Sequence, residues 1–428
     1  MERMRPGLRR AALAAAAVVG ALLAPGLAEA APWCGTAAQA DRPAIATGHP
    51  VRVVYLFPSD GVDRTAELAP RIWAEVEEID LWWRTSDPTR TINFDLTTFA
   101  CGNQIDLVTR RASLPSADLL PVASRFDRIL DDVYRRAGFD ALVSKYLVYY
   151  DGPVDSPETC GAGAGITGGT GLSIVYLQAC PSISTALVGT HELMHGFGAL
   201  RSVPAPSACV GDAGHVCDAT NDILYPRVQA QPLSTYALDS GRNDYYGHAS
   251  PWFDVQDSLW LRHLDASVPF TVRVRGRGSV LSDVPGLSCS ASCGTAWNPN
   301  TALRLVAQPA QGQRFLRWGE SCEGAIPRCD VLLDAPTTVS AVFAPARYQL
   351  SVFVAGRGRV VGAGLSCAVA RCARALTSHR AVTLRAIPAK GWRLRGWIGA
   401  CGGVRATCVV PMKNASSVRA TFVRRAST

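Results

Sequence analysis

The stretch Thr190-His191-Glu192-Leu193-Met194-His195-Gly196-Phe197-Gly198-Ala199 decides how the body of this chain is read. It follows Thr185-Ala186-Leu187-Val188, so the run predicts a helix, and on a helix His191 and His195 stand one turn apart on one face. Two imidazoles so placed can reach one metal ion. Zn²⁺ accepts neutral imidazole nitrogen at about 2.0 to 2.1 Å and tolerates three protein ligands with one position left open. Glu192 lies about 100° further round the helix, where it can lean toward a water at that open position without ligating the metal. A carboxylate there takes a proton as the water attacks a carbonyl carbon and can return it to a leaving amine. The expectation is therefore a catalytic Glu192, with His191 and His195 holding Zn²⁺ against a protein or peptide substrate.

Downstream of the helix the third ligand has to be found. No Glu occurs between Glu192 and Glu320, which excludes a site completed by a glutamate on a later helix. Gly198 comes three residues after His195 and is a helix stop, allowing the chain to turn back. Arg201, three residues further on, cannot ligate zinc. After Val203-Pro204-Ala205-Pro206 the chain reaches Cys209 and then Gly214-His215-Val216-Cys217-Asp218, so a longer loop can carry His215 into the open position. His215 is the expected third ligand; Asp212, Asp218 and Asp222 are the carboxylate alternatives.

His191 to Ala199 resembles the zinc helix of metzincins, in which the helix stops at the corresponding Gly. Asn221-Asp222-Ile223-Leu224-Tyr225 resembles the Asp-Ile-Met-Tyr segment that follows the zinc helix in a group of exported bacterial metzincin-like proteins, with Leu224 in place of Met. Leu238-Asp239-Ser240-Gly241-Arg242-Asn243-Asp244-Tyr245 is similar to their Leu-Asp-x-Gly-x-x-Asp-Tyr segment. The resemblance spans about residues 185 to 250. It implies an α/β zincin-like catalytic domain, a mixed sheet plus an active-site helix, and a secreted zinc metalloendopeptidase.

Upstream, period and length supply the remaining elements. Val51 to Phe57 reads as a strand, and Leu68, Ile72, Val76, Ile79 and Trp83 mark one helical stripe. Ile92 to Phe99 alternates as a strand, Phe126, Ile129, Leu130 and Val133 mark a second helix, and Tyr146 to Tyr150 and Leu172 to Leu177 are strands. Leu172 to Leu177 is expected at the cleft, where an extended peptide could pair with it. Gly163-Ala164-Gly165-Ile166-Thr167-Gly168 has the spacing of a nucleotide loop but leads into a strand rather than a helix, and is read as a flexible loop. Asp239 and Asp244 lack a full calcium ligand run and are read as a solvated turn.

The chain has 428 residues, 48% of them hydrophobic, which excludes disorder as the main state and leaves room for several cores. Four Arg precede residue 11, Ala11 to Leu23 is an apolar run, and Ala28-Glu29-Ala30 has the small residues of a cleavage site. Residues 1–30 are therefore expected to be a signal peptide, with the remainder secreted and without an integral membrane segment. All 14 Cys follow that segment, and an even number in an exported chain is expected to form disulfides. Cys160 with Cys180 and Cys209 with Cys217 close the shortest loops of the body.

Charge divides the chain. Residues 31–266 hold 17 basic and 28 acidic side chains, whereas residues 267–428 hold 22 basic and 5 acidic. The basic tail is also a tandem repeat: Trp318, Cys322, Cys329 and Phe343 recur 79 residues later as Trp397, Cys401, Cys408 and Phe422. Alternating segments punctuated by Gly and Pro read as short strands, and both Trp are expected in the module cores. Gly276-Arg277-Gly278-Ser279-Val280, Phe315-Leu316-Arg317-Trp318 and Val339-Ser340-Ala341-Val342-Phe343, with their second copies, resemble bacterial repeat modules related to internalin B-repeats. The expected organisation is a metallopeptidase domain over 31–266 and β-rich modules over 267–346 and 347–428, the basic repeats meeting an anionic cell-surface polymer. The alternative is an inactive protease-like body in a surface-binding or adhesive protein whose basic repeats bind polyanions.

Overall fold

The computed structural model describes residues 33–426 except 43, 46, 137–143, 201–204, 285, 369–370 and 378–380. The expected signal segment, residues 1–30, and Arg201 lie outside the described residues.

Val51–Phe57 (β1) is buried along its whole length, as its β-branched and aromatic run demands of a central strand with apolar neighbours on both faces. It pairs in parallel with Leu107–Arg111 (β2) and Lys145–Tyr150 (β3). Gly161–Gly165 (β4) and Gly171–Tyr176 (β5) complete the sheet, β5 parallel to β3 and β4 antiparallel to β5. The order is β2-β1-β3-β5-β4, so β4 is an edge.

Strand alternation sorts side chains onto two faces. Val53, Tyr55, Leu147, Tyr149 and Val175 pack with Ile72, Val76, Ile79 and Trp83 of Thr65–Ser86 (α1) and with Leu187 and Leu193 of Thr185–Phe197 (α3). On the opposite face Val54, Leu56, Tyr146, Val148 and Ile174 pack with Ile129 and Val133 of Val122–Arg136 (α2). The predicted stripes of α1 and α2 are thus the faces that seal a three-layer body. Burying one such side chain stabilises by about 1.5 to 3 kcal/mol, and the two sheet faces together supply the core.

Two expectations are corrected here. The segment expected as one strand from Ile92 to Phe99 is two: Arg90–Ile92 pairs with Leu261–His263, and Leu96–Phe99 pairs with Gly102–Ile105. Between them Asn93 turns inward and its Nδ2 donates to the carbonyls of Thr47 (2.9 Å) and His49 (3.3 Å), which interrupts the ladder. Of the glycine-rich segment Gly163 to Gly168 expected as a flexible loop, Gly163 to Gly165 belong to strand β4 and Ile166 to Gly168 make the turn into β5; β4 takes the place at the cleft that was expected for Leu172 to Leu177. The latter segment, β5, is interior, hydrogen-bonded on both sides.

Residues beyond 267 build two copies of one sandwich. In the first, Cys293–Trp297, Val268–Arg275, Thr337–Pro345 and Gln313–Glu320 form one sheet, and Ser288–Cys289, Gly278–Ser282, Thr301–Pro309 and Arg328–Leu333 the other. The second copy has the same strand order. Trp318 and Trp397 are buried, and each indole N–H donates to a backbone carbonyl, that of Ile326 (2.9 Å) or Arg405 (2.8 Å). This satisfies the one polar atom of a residue otherwise suited to a core.

All 14 Cys are disulfide-bonded. Cys34–Cys101, Cys160–Cys180 and Cys209–Cys217 staple the body; Cys289–Cys293, Cys322–Cys329, Cys367–Cys372 and Cys401–Cys408 lie within the modules. Such density fits an oxidising, non-cytosolic compartment. No helix among the described residues is long and apolar enough to cross a membrane.

Candidate metal centre

The helix α3 is capped at both ends as its sequence directs. The Ser184 hydroxyl accepts from the Leu187 N–H, and Gly198 ends the helix at φ 94°, a left-handed conformation that suits glycine. Its N–H donates to the His195 carbonyl (3.0 Å), and the Ala199 N–H donates to that of Met194 (3.0 Å). The chain then returns as a hairpin, Ala208–Cys209 (β6) against Asp212–Val216 (β7), clipped by Cys209–Cys217. This hairpin carries His215.

The three histidines converge. His195 Nε2 and His215 Nε2 stand 3.2 and 3.3 Å from His191 Nε2, and the nearest ligand atoms of all three fall within 4.8 Å of one another. His191 Nδ1 donates to the Ile223 carbonyl (2.6 Å), so its Nε2 carries the lone pair. His215 Nδ1 faces Asp212 Oδ2 at 2.8 Å, an arrangement that holds the proton on Nδ1 and turns Nε2 inward. Burial, with His215 adding to it, pulls His191 down to about 4. Burial, His191 and His215 likewise hold His195 well below the usual imidazole range.

Neutral imidazoles aiming lone pairs at one another repel unless an electrophile lies between them. Donors on a tetrahedral ion at about 2.0 to 2.1 Å would be about 3.3 Å apart, which matches the two measured separations. The residues present therefore fit a Zn²⁺ ion with three imidazole ligands and an open fourth position.

The carboxylate alternatives occupy other posts. Asp212 orients His215. Asp222 is buried, its Oδ1 accepting from the Leu224 N–H (2.8 Å) and the Tyr245 hydroxyl (2.6 Å), and its Oδ2 from the Ser240 N–H (2.7 Å). It pins the turn that presents the Ile223 carbonyl to His191. Asp218 is exposed. Asp239, expected in a solvated turn, is buried instead, because its Oδ2 gathers the N–H groups of Asp244, Tyr245 and Tyr246 at 2.7 to 3.0 Å. Asp212 as an orienting group is what sequence reasoning missed; its three-residue spacing from His215 was the available signal.

Glu192 is buried beside the histidines, and burial pushes its carboxyl up to about 8; a cation at the three imidazoles acts in the opposite direction by attraction. The edge strand β4 runs directly over it. A Cβ added to Gly161 would lie 2.7 Å from Glu192 Oε1, and one on Gly163 would lie 2.5 Å from the Glu192 carbonyl oxygen and 2.8 Å from His195 Cβ. The alternate glycines of Gly-Ala-Gly-Ala-Gly are thus the face against α3, and their lack of side chains permits the approach. Behind them Ser173 Oγ donates to the same Glu192 carbonyl (2.9 Å). Lys145 Nζ donates to the Gly196 carbonyl (2.7 Å) at the helix C-terminus, where a cation is favourable.

The result is a cleft of about 900 Å³ lined by His191, Glu192, His195 and His215 together with Gly161 to Gly163 and Pro226 to Val228. Gly163→Ala is expected to cost about 1 to 3 kcal/mol by overpacking β4 against α3. Gly168→Ala, where an added Cβ meets nothing within 4 Å, is expected to be neutral in the same denaturant titration. Equal midpoints for the two variants would remove the close-approach argument.

The family of the divergent InlB B-repeat domain matches residues 281–347 and 354–426, the two modules. A search of curated proteins finds no match to the chain. Among solved structures, archaemetzincin from Methanopyrus kandleri is similar at 17% identity, over 44% of this chain and 87% of its own, with a TM-score of 0.24. OgpA from Akkermansia muciniphila is similar at 10% identity over 90% of this chain and 98% of its own, TM-score 0.26. The Bacillus anthracis TIE protein is similar at 7% identity, TM-score 0.25, over 38% of this chain; the match spans 35% of the TIE protein.

Proposed function

We propose that the body is an exported, zinc-dependent metalloendopeptidase of metzincin-like type. The observation that carries this reading is the convergence of three imidazole Nε2 atoms beside a buried carboxyl, in an open cleft bordered by the edge strand of the sheet. His191, His195 and His215 would hold the ion. Bound there, Zn²⁺ supplies Lewis acidity, polarising a carbonyl oxygen and lowering the pKa of a water to about 7.

The chain's own residues do the rest. Glu192 accepts the proton of the attacking water at a carboxylate oxygen and delivers it to the leaving amine nitrogen. Asp212 and the Ile223 carbonyl keep His215 and His191 in the tautomers that present Nε2. Strand β4 is the last in its sheet, with β5 on one side, so its outer edge suits an extended peptide added as a further strand. A peptide added there would run past Glu192, which supports polypeptide as the substrate class. The inactive-body alternative is disfavoured by the intact Glu192 and the preserved histidine geometry.

Purified protein is expected to hold close to one zinc per chain and to cleave a generic unfolded protein. A chelator should remove both, and added zinc should restore both. Full cleavage by demonstrably metal-free protein would overturn the reading.

A further inference from the structure

The two modules share a fold and differ in charge. Residues 267–346 carry 7 basic and 5 acidic side chains, and residues 347–428 carry 15 basic and none acidic. In the first copy three of the seven cations have acidic partners: Arg273 pairs with Glu320, and Arg304 and Arg328 both approach Asp330. At the offset of 79, Glu320 and Asp330 are matched by Gly399 and Val409. The second copy keeps the sheets and drops every acidic side chain, so the fold does not require them.

The second copy also gathers cations on one face. In the sheet of Arg371–Thr377, Arg347–Ala355, Ser416–Arg424 and Trp392–Gly399, Leu350, Val352, Val418 and Ala420 face the core, and the alternate residues face outward. Phe353 is in register with Arg371 on one neighbouring strand and Arg419 on the other. Their guanidinium carbons lie 5.6 and 5.8 Å from the centre of its ring. Cation–π contact holds both guanidinium groups along the sheet while leaving their N–H groups for a ligand. Two strand spacings put them about 10 Å apart, and exposed Arg347 and Arg393 extend the same face.

We propose that this face of the second module is a docking surface for a linear anionic glycan bearing sulfate or carboxylate groups along its chain. Charge complementarity calls for a polyanion, and guanidinium pairs with such groups through two parallel hydrogen bonds. The fully disulfide-bonded chain fits an oxidising, non-cytosolic compartment. Phe353 is engaged by two guanidinium groups rather than offered to a base, which argues against a nucleic-acid platform.

The full-length protein on immobilised heparin, with neutral dextran as the blank, tests this. Binding is expected to weaken as salt rises. The double variant Arg371→Ser/Arg419→Ser is expected to lose on the order of tenfold in apparent affinity. Arg371→Lys/Arg419→Lys, which keeps the charge, should lose less, and Arg304→Ser in the first module should lose nothing. Equal unfolding midpoints confirm that each variant is folded. Undiminished binding by the serine double variant, or the same loss with Arg304→Ser, would overturn the assigned face. Tighter binding to single-stranded DNA than to heparin would overturn the assigned partner.

Discussion

Glu192→Gln is expected to abolish peptide hydrolysis while the protein retains its zinc. The substitution keeps the shape of the side chain beneath β4, which Gly161 and Gly163 approach closely. It removes only the ability to take up and release a proton. General acid–base catalysis contributes on the order of 10² to 10⁴ in rate, and here one group serves in both directions, so the fall in kcat should lie at or beyond the upper end of that range. Because the carboxyl is not among the converging donors, metal content measured on the same sample should match wild type. KM for a peptide substrate should stay within a few-fold, since binding along the β4 edge is unaffected. Cleavage persisting in this variant would reject Glu192 as the proton carrier. Loss of zinc along with activity would move it into the ligand set.

What the sequence disclosed about the site followed from spacing within single elements. His191 and His195 are held together by helical periodicity alone, and Gly198 ends the helix because its left-handed conformation suits glycine. The stripe from Leu68 to Trp83 was legible because its apolar residues recur at helical spacing against a polar remainder. The Cys160–Cys180 and Cys209–Cys217 pairs were legible as short loops. Strand β4 was not, for a physical reason: Gly-Ala-Gly-Ala-Gly alternates in volume rather than in hydropathy, so a period of two carries no polar–apolar contrast. The break at Asn93 was hidden similarly, since the carbonyls it satisfies, at Thr47 and His49, are brought to it by the fold. Asp212 was visible as a potential ligand, but its role depends on the hairpin bringing its carboxylate to His215 Nδ1 rather than to the ion.

That distinction gives the second large effect. His215→Ala is expected to lose zinc as fully as His195→Ala, because removing either imidazole leaves two nitrogen donors where a stable catalytic site requires three. Asp212→Asn should behave differently. His215 remains, but the amide cannot hold the Nδ1 proton as a carboxylate does, and loss of such an outer partner costs about 10- to 100-fold in metal affinity. Zinc competition against a chelator of known strength should therefore rank the variants as wild type, then Asp212→Asn, then His215→Ala and His195→Ala together. Asp218→Asn, altering an exposed carboxylate, should titrate like wild type. Asp222→Asn belongs to a separate axis: it breaks a buried set of acceptors serving Leu224, Ser240 and Tyr245, so its first effect should be on stability, measured by denaturation of the metal-free protein. Removing one partner of a buried hydrogen bond costs about 1 to 3 kcal/mol, and zinc affinity would follow only as far as the Ile223 carbonyl is displaced from His191. Full zinc affinity in His215→Ala, or its loss in Asp218→Asn, would show that the third donor is not the one the hairpin presents.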